Sequence, residues 1–263
     1  MNFNFKKKFG QNFLKDQNIL NNIAIKSEID KETLVIEIGV GAAALTNKLC
    51  ERAGFVLAYE IDKELTEIIA DNLKGKDNVN VVFDDFLNRD LKEDVSKYNY
   101  KKIYVVANLP YYITTPIIEK IVNSNVNVER IVVMVQKEVG DRFNAKVGSK
   151  EYNSLTIFLN YYYEISKLMD VSRNCFIPAP NVDSIVVMMQ KRDKQYDVKN
   201  EEIFFKLVRD SFKFKRKNLR NNLKDYDLDK ILKVLNKYNM DLSVRAEKLT
   251  IDIFVEMSNS LSE

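Results

Sequence analysis

Residues 37–46 read Glu37-Ile38-Gly39-Val40-Gly41-Ala42-Ala43-Ala44-Leu45-Thr46. A run rich in Val and Ile, Thr33–Ile38, leads into this stretch, and an amphipathic pattern, Ala43–Arg52, leads out of it. At the join, Gly39 and Gly41 let the chain turn tightly and let a ligand approach the backbone. The free amides of the helix that opens there add a positive pole. Glu60 closes the next apolar run, 21 residues after Gly39, where a carboxylate can accept hydrogen bonds from both hydroxyls of a ribose. This is the strand–turn–helix arrangement of a site for a nucleotide-bearing cofactor. Taken alone it also fits a nicotinamide enzyme, because Gly39-x-Gly41-x-x-Ala44 is an acceptable dinucleotide pattern. Two turn glycines and a strand-end Glu can also be purely structural.

Outward from this turn the rhythm repeats. Apolar runs at Thr33–Ile38, Phe55–Tyr59, Val79–Phe83, Ile103–Ala107 and Ile131–Val135 do not alternate with polar residues, as expected of strands covered on both faces. Helical patterns lie between or after them at Ala43–Arg52, Lys63–Leu73, Thr115–Val122 and Lys137–Ala145. Tyr161–Val171 and Ser184–Gln190 add two strands that can close the sheet antiparallel, which makes seven in all. The expectation is an α/β fold, a doubly wound, mostly parallel sheet. After about residue 194 only amphipathic helices are expected, over Glu201–Lys213, Arg216–Asp225, Asp227–Tyr238 and Lys248–Ser258. We therefore expect one domain over 1–193 and a small all-helical one over 194–263.

The chain has 263 residues, no His and two Cys. Without His there is no His–Ser or His–Cys pair and no imidazole metal site. Cys50 and Cys175 cannot make a disulfide framework, which suits a reducing compartment. No stretch reaches the ~18 apolar residues of a membrane span, and MNFNFKKKFG lacks the apolar core of a secretory signal. A soluble cytoplasmic protein is expected, with no membrane association, no metal, and a monomer as its working form. Chemistry must run on carboxylates, amides, hydroxyls, backbone groups and a cofactor.

Charge is segregated. Residues 1–15 carry four Lys and no acid, residues 27–100 carry 16 acidic against 9 basic side chains, and residues 206–224 carry eight basic side chains and only Asp210. Phe212-Lys213-Phe214-Lys215-Arg216-Lys217 interleaves aromatics with cations, which suits a polyanion offering phosphates and bases. A lone basic run is commonly a solvated helix face, but two basic ends around an acidic middle favour nucleic acid. Lys213, Lys215, Arg216, Lys217 and Arg220 are the expected phosphate contacts.

Two more strand ends carry chemistry. Asp85, in Asp84-Asp85-Phe86, can accept a hydrogen bond from an adenine amino group, and Asn108-Leu109-Pro110-Tyr111 follows the fourth strand. An aromatic amine such as N6 of adenine is a poor nucleophile because its lone pair is delocalised. Acceptors that hold its two hydrogens draw the nitrogen toward tetrahedral geometry. Asn108 offers a side-chain carbonyl and Leu109 a backbone carbonyl. Pro110 contributes no N–H and stiffens the turn. Tyr111 can stack on an extruded base, worth ~1–3 kcal/mol. A sulfonium methyl donor in line with that amine needs neither metal nor His. Phe176, in the Pro-stiffened loop Cys175–Val182, is a second stacking candidate. The bland alternatives are an Asn–Pro turn with a core Tyr, and a packed core Phe.

Together these segments resemble the ribosomal RNA adenine N6-dimethyltransferases of the KsgA type. The resemblance rests on Phe9-Gly10-Gln11-Asn12-Phe13-Leu14, Glu37–Gly41, Glu60-Ile61-Asp62, Asp85-Phe86, Asn108–Pro116, Phe176–Ser184, Lys215–Leu223 and Arg245–Leu249, in that order along the whole chain. It implies a Rossmann-like class I methyltransferase fold and S-adenosyl-L-methionine as cofactor. It further implies dimethylation of two adjacent adenosines in the 3′-terminal hairpin of 16S rRNA within an immature small ribosomal subunit. It assigns donor binding to Asn12, Leu14, Gly39, Gly41, Glu60, Asp85 and Asn108. Asn108, Leu109, Pro110 and Tyr111 would position the adenine, with Phe176 on its other face and Gln11–Leu14 closing over the donor. The family usually has a third glycine where this chain has Ala43, and an added methyl there is expected to crowd the donor's methionine portion, with binding retained but weakened. The alternatives are a macrolide-resistance-type 23S rRNA adenine N6-methyltransferase, a nicotinamide oxidoreductase, and a non-catalytic RNA-binding assembly factor. Thr115-Pro116 and the Lys215–Leu223 block favour the KsgA type. The oxidoreductase leaves Asn108–Tyr111 without a task, and an intact Asn108–Tyr111 argues against lost activity.

Overall fold

The computed structural model describes residues 12–194 and 196–262. A short strand β1 (Phe13–Leu14) and helix α1 (Gln17–Lys26) precede the sheet. Then come β2 (Thr33–Ile38), α2 (Ala44–Cys50), β3 (Phe55–Tyr59), α3 (Thr66–Asn72), β4 (Val79–Val82) and α4 (Leu91–Val95). The rhythm continues through β5 (Lys102–Asn108), α5 (Thr114–Val122), β6 (Val128–Gln136), α6 (Lys137–Phe143), α7 (Ser154–Tyr162) and β7 (Tyr163–Val171). β8 (Phe176–Ile177) and β9 (Ser184–Lys191) follow, and the rest is helical: α8 (Glu201–Phe212), α9 (Leu219–Asn222), α10 (Leu228–Asn236) and α11 (Ile251–Leu261).

The main sheet has seven strands in the order β4-β3-β2-β5-β6-β9-β7. β4, β3, β2, β5 and β6 pair in parallel, and β9 runs antiparallel to β6. Every residue of β2 is buried, which is why its sequence does not alternate: helices cover both faces of a parallel sheet. The strand order reverses at β2 and β5, so their carboxyl ends flank a crevice that open α/β sheets use for ligands. None of the described helices is long and apolar enough to cross a membrane.

The chain divides into two compact units, and the boundary differs from the expected break at residue 194. The sheet unit takes the described residues up to Gly140 and Ile165–Lys191, whereas Asp141–Glu164 joins the residues from Arg192 onward in the helical unit. The reason is apolar packing. Tyr152, Ile157 and Tyr161 lie in one buried cluster with Phe204, Leu207, Ile231 and Phe254. Helix α7, absent from the expectation, starts on a capping box in which Asn153 accepts from the amides of Leu155 and Thr156. Helix α1 was also unexpected, and Asp16 caps it by accepting from the amides of Asn18 and Ile19. The helix expected over Arg216–Asp225 shrinks to α9, so the basic segment 213–218 is a turn between two helices.

Candidate active site

The carboxyl ends of β2, β3, β4 and β5 open into a cleft lined by residues at or just after these strand ends and by Asn12, Phe13 and Leu14. Gly39, Gly41 and Ala43 all have positive φ, at +83°, +58° and +61°. This places the turn in backbone conformations that favour glycine. The Gly39 amide donates to the Tyr59 carbonyl at 2.9 Å. A Cβ on Gly39 would stand 3.6 Å from the Asn108 carbonyl oxygen and 3.8 Å from Pro110 Cδ. The glycine turn and the Asn108–Tyr111 corner are therefore in van der Waals proximity across one crevice. A Cβ on Gly41 would meet the Phe13 ring at 2.7 Å, so Phe13 lies directly over that glycine.

Ala43 does not do what was expected of it. Its methyl is fully buried in the hydrophobic core, and the cleft is lined by Ala42 and Ala44 instead. The methyl therefore does not crowd the cleft. Its cost falls on backbone strain, about 1 kcal/mol for a non-glycine residue in the left-handed region.

Four carboxylates line the cleft; Asp84 pairs with Arg89 at 3.4 Å, and the other three are Glu60, Asp85 and Glu37. Glu60 is buried, and its two oxygens accept from the amides of Gly41 and Asp62, each at 2.9 Å. Burial raises its pKa, and these two amides act against that rise. A carboxylate has about four acceptor positions, so lone pairs remain for a ligand's hydroxyls. Asp85 accepts from the Leu87 amide with Oδ1 at 2.9 Å, while Arg89 pairs with Asp94 at 2.6 Å and holds the adjoining loop. Lys120 donates to the Leu87 carbonyl at 2.9 Å from α5, fixing the floor formed by Phe86 and Leu87. The third is Glu37, which the sequence analysis did not single out. It lines the cleft, is 1% exposed, and its Oε2 has no hydrogen-bond partner. Burial pushes its pKa from 4.5 up to about 8, with the Glu60 charge adding to the rise and the neighbouring Thr46 opposing it. The available signal was an acid standing in an otherwise apolar strand.

The corner after β5 is tightly determined. Asn108 Nδ2 donates to the Asn12 carbonyl at 3.3 Å, which fixes the amide's orientation and leaves Oδ1 as the acceptor turned elsewhere. The Leu109 amide donates to the Met134 carbonyl at 3.1 Å, and Leu109 is 1% exposed. Thr114 Oγ1 donates to the Pro110 carbonyl at 3.1 Å. Tyr111 shares a 2.7 Å hydrogen bond with Ser184, the fully buried first residue of β9. Burial raises the Tyr111 pKa, so this phenol stays protonated at neutral pH. Tyr112 also lines the cleft and is 55% exposed.

Phe176 is not where a second platform is needed. It is 2% exposed, packs in the core under the sheet and does not line the cleft. Its role is structural: β8 pairs antiparallel with β1, matching Leu14 to Phe176 and Phe13 to Ile177. The Lys15 amide adds a bond to the Cys175 carbonyl at 2.9 Å. Asn12, Phe13 and Leu14 thus line the cleft beside the glycine turn. Gln11 and Lys6, Lys7 and Lys8 lie outside the described residues.

In the helical unit, Lys213, Lys215, Arg216, Lys217 and Arg220 are all exposed. Lys215 is partly committed, because its Nζ donates to the Lys150 carbonyl at 2.7 Å. Asp210 accepts from Lys206 Nζ at 2.9 Å and from the Tyr226 hydroxyl at 2.6 Å. These bonds lower its pKa, so the only acid of this segment is already paired.

A mostly parallel seven-stranded sheet, with a glycine turn and an Asn-Leu-Pro-Tyr corner facing each other at its carboxyl edge, defines a Rossmann-like methyltransferase. The family described as ribosomal RNA adenine dimethylase matches residues 2–263, and the chain belongs to it. Ribosomal RNA small subunit methyltransferase A of Staphylococcus aureus (strain JH9) is 47% identical over 264 residues, covering 97% of this chain and 89% of that protein. The crystal structure of a dimethyladenosine transferase from Plasmodium falciparum superimposes with a TM-score of 0.79 at 26% identity, over 93% of this chain and 95% of that one. That of the 23S rRNA methyltransferase ErmE shares the fold, with a TM-score of 0.76 at 23% identity over 96% and 100% of the two chains.

Proposed function

We propose that this enzyme transfers methyl groups from S-adenosyl-L-methionine to N6 of two adjacent adenosines in the 3′-terminal hairpin of 16S rRNA. It would act in the cytoplasm, as a monomer, on an immature small ribosomal subunit. The observation that carries the reading is the 3.6 Å approach between the Gly39 Cβ position and the Asn108 carbonyl. It brings a cofactor turn and an amine-holding corner to the two sides of one cleft.

The residues present fit the donor. Glu60 keeps acceptor capacity for ribose hydroxyls, and Asp85 has one oxygen beyond its Leu87 contact for an adenine amino group. The unpartnered Glu37 Oε2 is a buried polar atom at the cleft wall, which a polar group of the bound donor can satisfy. When bound, S-adenosyl-L-methionine supplies an electrophilic methyl carbon on sulfur.

Catalysis on this reading is positioning. Asn108 Oδ1 and the Leu109 carbonyl accept the two N6 hydrogens and localise the nitrogen lone pair. Tyr111, tethered by Ser184, holds the base by stacking. The alkylated nitrogen is a strong acid, so its proton leaves to solvent and no buried base is required. The second methylation uses the same corner with one acceptor relieved of its hydrogen.

The test is methyl transfer to unmethylated small subunits and to protein-free 23S rRNA, with products mapped to nucleotides. Dimethyladenosine at two neighbouring positions of the small-subunit RNA is expected. Labelling of the 23S rRNA alone would overturn the proposal in favour of the macrolide-resistance reading.

A further inference from the structure

We infer that Phe214 is a stacking platform for an unpaired nucleobase, set in a turn whose cations hold the flanking phosphates. This rests on the RNA-modifying reading above and adds a contact to it.

Phe212 and Phe214 are two residues apart and have opposite fates. Phe212 packs into the helical unit, with its ring centroid 6.0 Å from that of Phe254 and 6.1 Å from that of Tyr152. Phe214 is 57% exposed, more than any other large apolar side chain among the described residues. Leaving such a ring in water forgoes much of the ~1.5–3 kcal/mol its burial would contribute. The turn that presents it is well tied. The Phe214 carbonyl accepts from the Lys217 amide at 2.9 Å and from Asn222 Nδ2 at 3.3 Å. Asn222 Nδ2 also donates to the Ser211 carbonyl at 2.7 Å, and the Lys213 amide donates to the Asp210 carbonyl at 3.2 Å. A platform held in place by its own backbone loses little freedom on binding.

The surroundings select the occupant. Lys213 Nζ stands 5.8 Å from the Phe214 ring centroid, and Lys215, Arg216, Lys217 and Arg220 are exposed within six residues. The nearby acid, Asp210, is paired with Lys206. A protein partner would want apolar neighbours and few charges at such a spot. A single exposed ring among cations is instead the pairing that single-stranded nucleic acid uses, with stacking for the base and cations for the backbone. Phe carries no hydrogen-bonding group, so the contact reads that a base is unpaired and not which base it is.

The test measures the dissociation constant of the full chain for unmethylated small ribosomal subunits across 50–200 mM salt. Phe214→Leu keeps an apolar side chain without a π-face, Phe214→Trp enlarges the face, and Lys217→Ala removes a cation. Exposure at Phe214 makes all three compatible with folding, and matching far-UV dichroism verifies that. Phe214→Leu should weaken binding roughly 5- to 100-fold with the log–log salt slope unchanged. Phe214→Trp should bind at least as tightly as the natural chain, and Lys217→Ala should reduce the slope by about 1. Natural affinity in Phe214→Leu, equal weakening by Leu and Trp, or a slope changed by Phe214→Leu would each overturn the stacking role while leaving the RNA reading intact. A natural chain that fails to bind subunits at low salt would overturn both.

Discussion

Replacing Glu37 by Gln should change how stability depends on pH, with little change at acid pH. Glu37 sits 1% exposed as the next-to-last residue of β2, with one oxygen unpartnered, and burial lifts its pKa to about 8. In the unfolded chain the group is an ordinary carboxyl with a pKa near 4.3. A folded-state pKa above the unfolded one means that the native protein holds the proton more tightly. The stability this brings is complete at acid pH and is lost as pH rises from the unfolded toward the folded value. The loss runs at about 1.4 kcal/mol per pH unit, and amounts to about 3 kcal/mol between pH 5.5 and 8. Glu37→Gln cannot ionise and escapes that loss. Relative to the natural chain it should therefore gain about 3 kcal/mol over this range, or roughly 6–12 °C in melting temperature for a unit of this size. The measurement is parallel thermal and urea unfolding of both proteins in a pH series, without methyl donor, followed by far-UV dichroism. Curves that stay parallel from pH 5.5 to 8 would show that Glu37 does not titrate there. A variant that loses ground as pH rises would show that a cation holds Glu37 ionised, which reverses the argument.

Asn108→Ala should lower single-turnover methyl transfer by roughly 100-fold or more while the fold melts within about 1 kcal/mol of the natural protein; unchanged turnover removes the amine-holding role. Gly41→Ala forces a Cβ to within 2.7 Å of the Phe13 ring at a φ of +58°, and should weaken S-adenosyl-L-methionine binding about tenfold or more in a calorimetric titration. Tyr111→Phe and Ser184→Ala each break one side of a single hydrogen bond, so the double variant should transfer methyl groups no more slowly than the slower single variant. Additive losses would mean that the two groups act separately.

The sheet was legible because its strands are buried on both faces and its switch point carries recognisable turn residues. Gly39, Glu60, Asp85 and Asn108 were found because each stands at the carboxyl end of a strand, a position readable from the end of an apolar run. What was missed depends on packing between distant segments. Phe13 over Gly41 and Asn12 against Asn108 bring together residues far apart in sequence. Phe176 read as a platform because a Pro-rich loop suggests exposure, yet its ring fills the core and its backbone completes a ladder with Leu14. The unit boundary was misplaced because α7 is followed directly by a strand of the sheet, while Ile157 and Tyr161 belong to the helical unit's core. Glu37 was hidden by its position within a strand, where the surrounding apolar residues draw the eye.

On the proposed reading, the two-residue ladder between β1 and β8 makes one joint serve both substrates. Leu14 lines the cleft, and its partner Phe176 begins the segment that runs on to Ser184, the tether of Tyr111. Damage to this joint cannot be confined to cofactor affinity or to adenine placement. Kinetic defects in the two should rise and fall together across substitutions at Leu14 and Phe176, although neither residue touches both partners of the reaction.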